Sequence, residues 1–195
     1  MNTQIFYTVP ADILLALTAY GEAASEGAEG MMAVINVVLN RMKDMSSYAD
    51  STILSQTGSA YHAVVLKPYQ FSAFNDTDPV RKKLESLLNT FTTSVKSNAA
   101  LNQAYQIATL AIQGQLADNT GGATHYHTTA VAPSWSKTID YIGQLGNHVF
   151  YSALPVWNRV RTTITEAYET VSPYMTYIII GLIGLGGLYY IKRRK

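Results

Sequence analysis

The sequence predicts a predominantly helical α+β domain with a small β element, followed by one C-terminal transmembrane helix. Three observations carry that expectation. Apolar residues recur at helical spacing in several separate stretches, one segment alternates as a strand does, and residues 174–191 hold no charge. Ile13, Leu14, Leu17 and Tyr20 place a buried helix over residues 10–24, with Pro10 near its N-terminus. A second helix is expected over 29–43, where the chain stays almost devoid of charge until Arg41. Residues 45–58 are polar and turn-rich and read as a surface loop. Residues 61–74, rich in aromatics and valine, read as extended chain or a short strand. Asp78-Pro79 then supplies an N-cap with proline at the first helical position. Val80, Leu84, Leu87, Leu88, Phe91 and Val95 continue that helix to about Lys96. Another helix is expected over 101–116, a turn over 118–122 and a strand over 123–129.

At 195 residues the chain has room for one compact domain and an appendage. A net charge of +1 makes no electrostatic case for nucleic acid as a partner. The absence of cysteine excludes disulfides, thiolate metal sites and a cysteine nucleophile together. Val156, Val160, Ile164, Ala167 and Val171 mark an amphipathic helix, and Trp157, Arg159 and Arg161 incline it toward a membrane surface. Eighteen uncharged residues follow Pro173; as a helix they span about 27 Å, close to the ~30 Å hydrocarbon core. Tyr174, Tyr177, Tyr189 and Tyr190 lie near the two ends as interfacial anchors, and Lys192-Arg193-Arg194-Lys195 closes the chain. Gly181, Gly184 and Gly187 give this span a smooth face for packing against other membrane or virion proteins.

Glu22 is the candidate chemical centre. It lies just past the first apolar repeat and between two apolar helices, with Gly21 before it and Gly27 and Gly30 after it. Partial desolvation raises a carboxyl pKa, as a general acid working near neutral pH requires. From spacing alone a second reading stays open, in which Glu22, Glu26 and Glu29 simply favour a helix N-terminus through the macrodipole.

A resemblance weighs between the two. Residues 15–43 (LALTAYGEAASEGAEGMMAVINVVLNRMK) resemble the opening of the cell-wall hydrolase family of spore-cortex lytic enzymes, the SleB/CwlJ type. Matching blocks follow in the same order: Pro68-Tyr-Gln-Phe-Ser-Ala-Phe74, Asp118-Asn-Thr-Gly-Gly-Ala-Thr-His-Tyr-His127, Trp135, and Ile142-Gly to His148-Val-Phe-Tyr151. The resemblance implies a peptidoglycan-cleaving domain, lysozyme-like and akin to lytic transglycosylases, with Glu22 as catalytic acid. The family commonly continues Gly-Glu-Ala-Arg where this chain has Ala24, so the role of that arginine is absent or supplied from elsewhere.

The remaining candidates are weighed beside it. Tyr20 and Glu26 flank Glu22 and are expected to line the substrate. Gln70, Phe71 and Ser72 combine an amide and a hydroxyl with an aromatic, which suits sugar hydroxyls and N-acetyl groups; an ordinary strand is the alternative. Thr124, His125, Tyr126 and His127 follow two glycines, and in a strand the two histidines share a face that Tyr126 opposes. With His148 or His62 that pair could bind zinc, yet no helical His-Glu-x-x-His block is present, and substrate lining is the expected role. Trp135 reads as a sugar-stacking platform or as rim packing. Glu26, Glu29, Asp76 and Asp118 are candidates for a second carboxylate, which a conventional glycosidase uses and a lytic transglycosylase can do without.

The expected layout is a catalytic domain over 1–151, a juxtamembrane linker helix over 152–173, a transmembrane helix over 174–191 and a basic tail over 192–195. The expected function is cleavage of the MurNAc-GlcNAc β-1,4 bond, forming 1,6-anhydromuramic ends, with peptidoglycan and a lipid membrane as partners and no metal or other cofactor. The alternatives are a simple muramidase-type hydrolase, a zinc-dependent amidase or peptidase, and an inactive wall-binding or structural protein. The N-terminus shows no secretory signal, whereas the basic tail favours a cytoplasmic C-terminus with the domain outside. A phage or virus protein made in the cytoplasm and packaged with a membrane, acting in entry or lysis, reconciles the two.

Overall fold

The computed structural model describes residues 2–153, which form eight α-helices and a three-stranded sheet. Helix α1 (Ala11–Ala23) and helix α2 (Gly27–Met42) are joined by one 3-10 turn, Ala24–Glu26. Leu14, Leu15, Ala16, Leu17 and Ala19 of α1 are all fully buried, because the helix lies in the middle of the domain with neighbours on most sides. Helix α8 (Ala99–Ile112), capped by the Asn98 side chain, packs along α1 through Leu101, Ala104 and Ala108.

Three expectations are corrected. The segment 45–58 is not a loop but two short helices, α3 (Met45–Tyr48) and α4 (Ser51–Thr57). Asp44 and Asp50 accept hydrogen bonds from the first-turn amides of each, and Gly58 ends α4 in the left-handed conformation at φ +65°. The segment 61–74 is not extended. It opens as α5 (Ala60–Val65), capped by Ser59, and closes as a 3-10 turn over Ser72–Phe74. Val64, Val65 and Leu66 are fully buried, so core packing overrides the strand preference of valine. The helix expected from Pro79 to Lys96 is two, α6 (Pro79–Asn89) and α7 (Phe91–Ser97), broken at Thr90.

Strands β1 (His125–Thr128), β2 (Asp140–Leu145) and β3 (His148–Ser152) form an antiparallel sheet in the order β1-β3-β2. Gly146 and Asn147 make the tight β2–β3 turn, with Gly146 at φ +55°. The inner face, carrying Phe150, packs with Ala123 against Ala33 and Val37 of α2. β3 reaches Ser152, one residue beyond the expected end of the domain. Among the described residues no helix is long and apolar enough to cross a membrane. The expected span at 174–191 and tail at 192–195 lie outside the described residues, as does the 152–173 linker except for its first two positions.

Candidate active site

Glu22 sits in the last turn of α1, and three donors from two distant segments converge on its carboxylate. The Ala73 amide donates to Oε1 at 2.8 Å, the exposed Ser72 hydroxyl donates to the same oxygen at 3.2 Å, and the Tyr126 hydroxyl donates to Oε2 at 2.8 Å. The Tyr126 phenol is desolvated; burial first, then the Glu22 charge and hydrogen bond, hold its pKa well above the ordinary value. It therefore remains a proton-bearing donor at any physiological pH.

Local sequence explains why these groups meet. A Cβ on Gly21 would lie 2.8 Å from the Ala73 side chain and 3.2 Å from Leu84, so only glycine lets the Ser72–Phe74 turn approach α1 closely. Gly21→Ala is expected to force the turn away. Overpacking of this kind costs about 1–3 kcal/mol, and the Ala73 amide loses its reach to Glu22. A lower unfolding midpoint together with a fall in turnover is the expected outcome; unchanged values for both would show that the approach is not needed.

A polar stripe on α2 delivers the other wall. The Asn36 amide donates to the Ala117 carbonyl at 2.9 Å, and the Asn40 amide donates to Asp118 Oδ2 at 3.0 Å and to the Ala123 carbonyl at 3.1 Å. Asp118 in turn accepts from the Thr120 and Gly122 amides, which fixes the expected 118–122 turn. Arg41 Nε donates to the Thr124 carbonyl at 2.7 Å and Arg41 Nη1 to the Gln70 carbonyl at 3.4 Å. Its guanidinium lies 4.9 Å from the Phe71 ring centre and 5.7 Å from that of Tyr48. Burial pushes the Arg41 pKa down, opposed by nearby Tyr126, Tyr48 and Glu22. Thus one buried cation ties together the two segments that hold Glu22.

The expected site residues divide accordingly. Ser72 and Tyr126 are at Glu22, though Tyr126 positions the carboxylate where a substrate contact was expected. Gln70 contributes its backbone carbonyl, and Phe71 is buried beneath Arg41, which corrects its expected sugar-facing role. Tyr20 is also corrected. It is buried, accepts a hydrogen bond from Asn98 Nδ2 at 3.0 Å, and has the Lys83 ammonium 4.7 Å from its ring centre. Glu26 turns to the hairpin and accepts from the Asn147 backbone amide and side chain at 2.9 and 3.0 Å. Those bonds, the backbone one foremost, hold its pKa below the usual value. Thr124 is fully buried; its hydroxyl lies 3.0 Å from His125 Nδ1 and accepts from the Ala153 amide.

His125 and His127 do share a face, but it is the one opposite Tyr126. There they join Trp135 and Tyr151: the Trp135 ring centre is 5.1 Å from His125 and 5.6 Å from His127, and His127 stacks on Tyr151 at 5.3 Å. The two histidines and Trp135 therefore stand apart from the Glu22 hydrogen bonds. Among the described residues no three His, Asp or Glu side chains are grouped to hold a metal ion. Of the other carboxylates considered, Asp76 pairs with Arg81 at 3.2 Å, Asp118 serves its turn, and Glu29 is exposed. Sequence reasoning missed Gly21, Arg41, Asn40 and the Ala73 amide. The signal for two of them was present, as adjacent polar residues in an otherwise apolar helix.

Burial lowers the pKa of His62, His125 and His148 below 6.5, with His125 at about 4 through burial and then the Arg41 charge. The unfolded chain therefore binds more protons than the folded one as pH falls from 6.5 toward about 4. Stability should decline across that window, and His125→Phe should flatten the decline in a series of thermal melts. A slope unaltered by the substitution would contradict the assignment.

A family model for Cell Wall Hydrolase matches residues 25–151, a span that begins three residues after Glu22. The chain is similar to the catalytic domain of the germination-specific lytic transglycosylase SleB from Bacillus anthracis, with 26% identity, 73% of this chain and 94% of that chain covered, and a TM-score of 0.50. A similar alignment is found with the catalytic domain of the Bacillus cereus SleB protein, at 26% identity, 73% and 90% coverage and a TM-score of 0.46. No curated protein matches the chain.

Proposed function

Since the chain belongs to the cell wall hydrolase family, we propose that it cleaves the MurNAc-GlcNAc β-1,4 bond of peptidoglycan as a lytic transglycosylase, with Glu22 as its acid and base. The observation that carries this reading is the Glu22 carboxylate held by three donors, one of them the exposed Ser72 hydroxyl. Protonated Glu22 gives its proton to the glycosidic oxygen as the bond to C1 of the muramic acid breaks. The carboxylate left behind then takes the proton of the C6 hydroxyl, whose oxygen closes on C1 to form the 1,6-anhydro ring. Glu22 ends protonated, ready for another turn, and no water is consumed. Tyr126 and the Ala73 amide hold the carboxylate through both steps and stabilise its charged form between them.

Engagement of Glu26, Asp76 and Asp118 elsewhere favours this scheme over a two-carboxylate hydrolase. The uncharged 174–191 segment and its basic tail support anchoring to a membrane, with the domain facing the wall, as in a virion that carries lipid. Mass spectrometry of digested sacculi tests the reaction. Anhydromuramic ends support it; reducing ends indicate a hydrolase, free stem peptides an amidase, and intact sacculi a binding protein.

A further inference from the structure

The turn that leads into the Glu22 contacts displays a tyrosine in a conformation that tyrosine disfavours. The Gln70 amide donates to the Lys67 carbonyl at 3.1 Å, closing a four-residue turn around Pro68 and Tyr69. Proline first and a positive φ second is the type II pattern, whose second position favours glycine or asparagine. Here Tyr69 occupies it at φ +65°, the one non-glycine residue with positive φ among the described residues. A bulky side chain in this region brings Cβ too close to the following carbonyl oxygen. Core packing does not offset that cost, because Tyr69 is 82% exposed, above Tyr141 at 62% and Val131 at 55%.

Strained residues gather at functional sites, and the location of this one fits. Tyr69 precedes Ser72 by three residues, a distance that extended chain spans in at most about 10 Å. The intervening residues are fixed, since Arg41 holds the Gln70 carbonyl and Phe71 is buried under the guanidinium. On a backbone so fixed, three residues before the Glu22 partner Ser72, the phenol ring stands open to solvent. It presents an apolar face with a hydroxyl at its edge, which matches the apolar face and polar rim of a sugar ring.

We infer that Tyr69 is a specificity-determining platform on which a sugar ring of the glycan strand stacks, next to the bond that Glu22 cleaves. This rests on the function proposed above. It is tested with full-length wild type and Tyr69→Gly, Tyr69→Phe and Tyr69→Trp, each measured for thermal unfolding, sedimentation with purified sacculi, and cleavage. Glycine relaxes the turn, so Tyr69→Gly should unfold at the same temperature as wild type or higher. Its binding to sacculi and its kcat/KM should nevertheless fall about tenfold, the scale of one aromatic contact. The Phe and Trp variants should recover most of that loss. Wild-type binding and kinetics in Tyr69→Gly would overturn the inference, as would equal losses in all three variants accompanied by lower unfolding temperatures. Failure of the underlying reading looks different: wild type would bind sacculi and cleave no glycan, and the sedimentation arm would still judge Tyr69.

Discussion

Glu22→Gln is expected to lower turnover on purified sacculi by about 10²–10⁴-fold, the scale of a lost general acid, while the unfolding midpoint stays near that of wild type. The hydrogen bonds explain the second half of that result. The Ala73 amide can only donate, so the glutamine oxygen turns toward it and keeps the 2.8 Å contact. The new amide group then faces Tyr126, whose hydroxyl accepts as readily as it donates. The shape and the network survive, and only the transferable proton is gone. Turnover equal to wild type in this variant would remove Glu22 from the mechanism.

Arg41→Ala is expected to have the largest effect on stability. The substitution deprives the buried Thr124 carbonyl of its 2.7 Å donor and strips the contacts made to the Phe71 and Tyr48 rings. An orphaned buried acceptor costs ~1–3 kcal/mol, and the emptied volume adds a cavity term. A loss of about 3 kcal/mol would lower the unfolding midpoint by about 6–12 °C in a domain of this size. Burial of the guanidinium works against the wild type, which is why the expected loss is not greater. Arg41→Lys keeps a charge without the planar fork and should be intermediate. The variant's β1 and Ser72–Phe74 segments would no longer share an anchor, so activity should fall with stability. A midpoint within 2 °C of wild type, by the same size relation, would show that another contact supports both walls.

Arg41 also bears on Glu22 itself. From α2, nineteen positions along, its buried guanidinium acts electrostatically on the carboxylate through packing that no local motif announces.

The parts of the fold that were legible in the sequence are those whose signal is local. α1 and α2 announce themselves by long apolar periodicity, α6 by Asp78-Pro79, and the 118–122 turn by its glycines and Asp118. The segments 45–58 and 61–74 were misread because their helices are four to seven residues long. Helices that short carry little periodicity, and caps and burial decide them. At the site, the alternation of β1 correctly opposes Tyr126 to the two histidines. Periodicity cannot say which face meets Glu22, since that depends on how α2 anchors the preceding turn through Asn36, Asn40 and Arg41. The histidines and Trp135, expected as substrate contacts, build an aromatic cluster on the face opposite Tyr126.

The central claim is that one carboxylate serves both steps and that the sugar's own hydroxyl, in place of water, closes the reaction. Digesting sacculi in water enriched in heavy oxygen and weighing the released fragments tests it most directly. The account predicts 1,6-anhydromuramic ends that carry no label, produced by wild type and absent with Glu22→Gln. Reducing ends carrying the heavy oxygen would contradict it and make the enzyme a hydrolase.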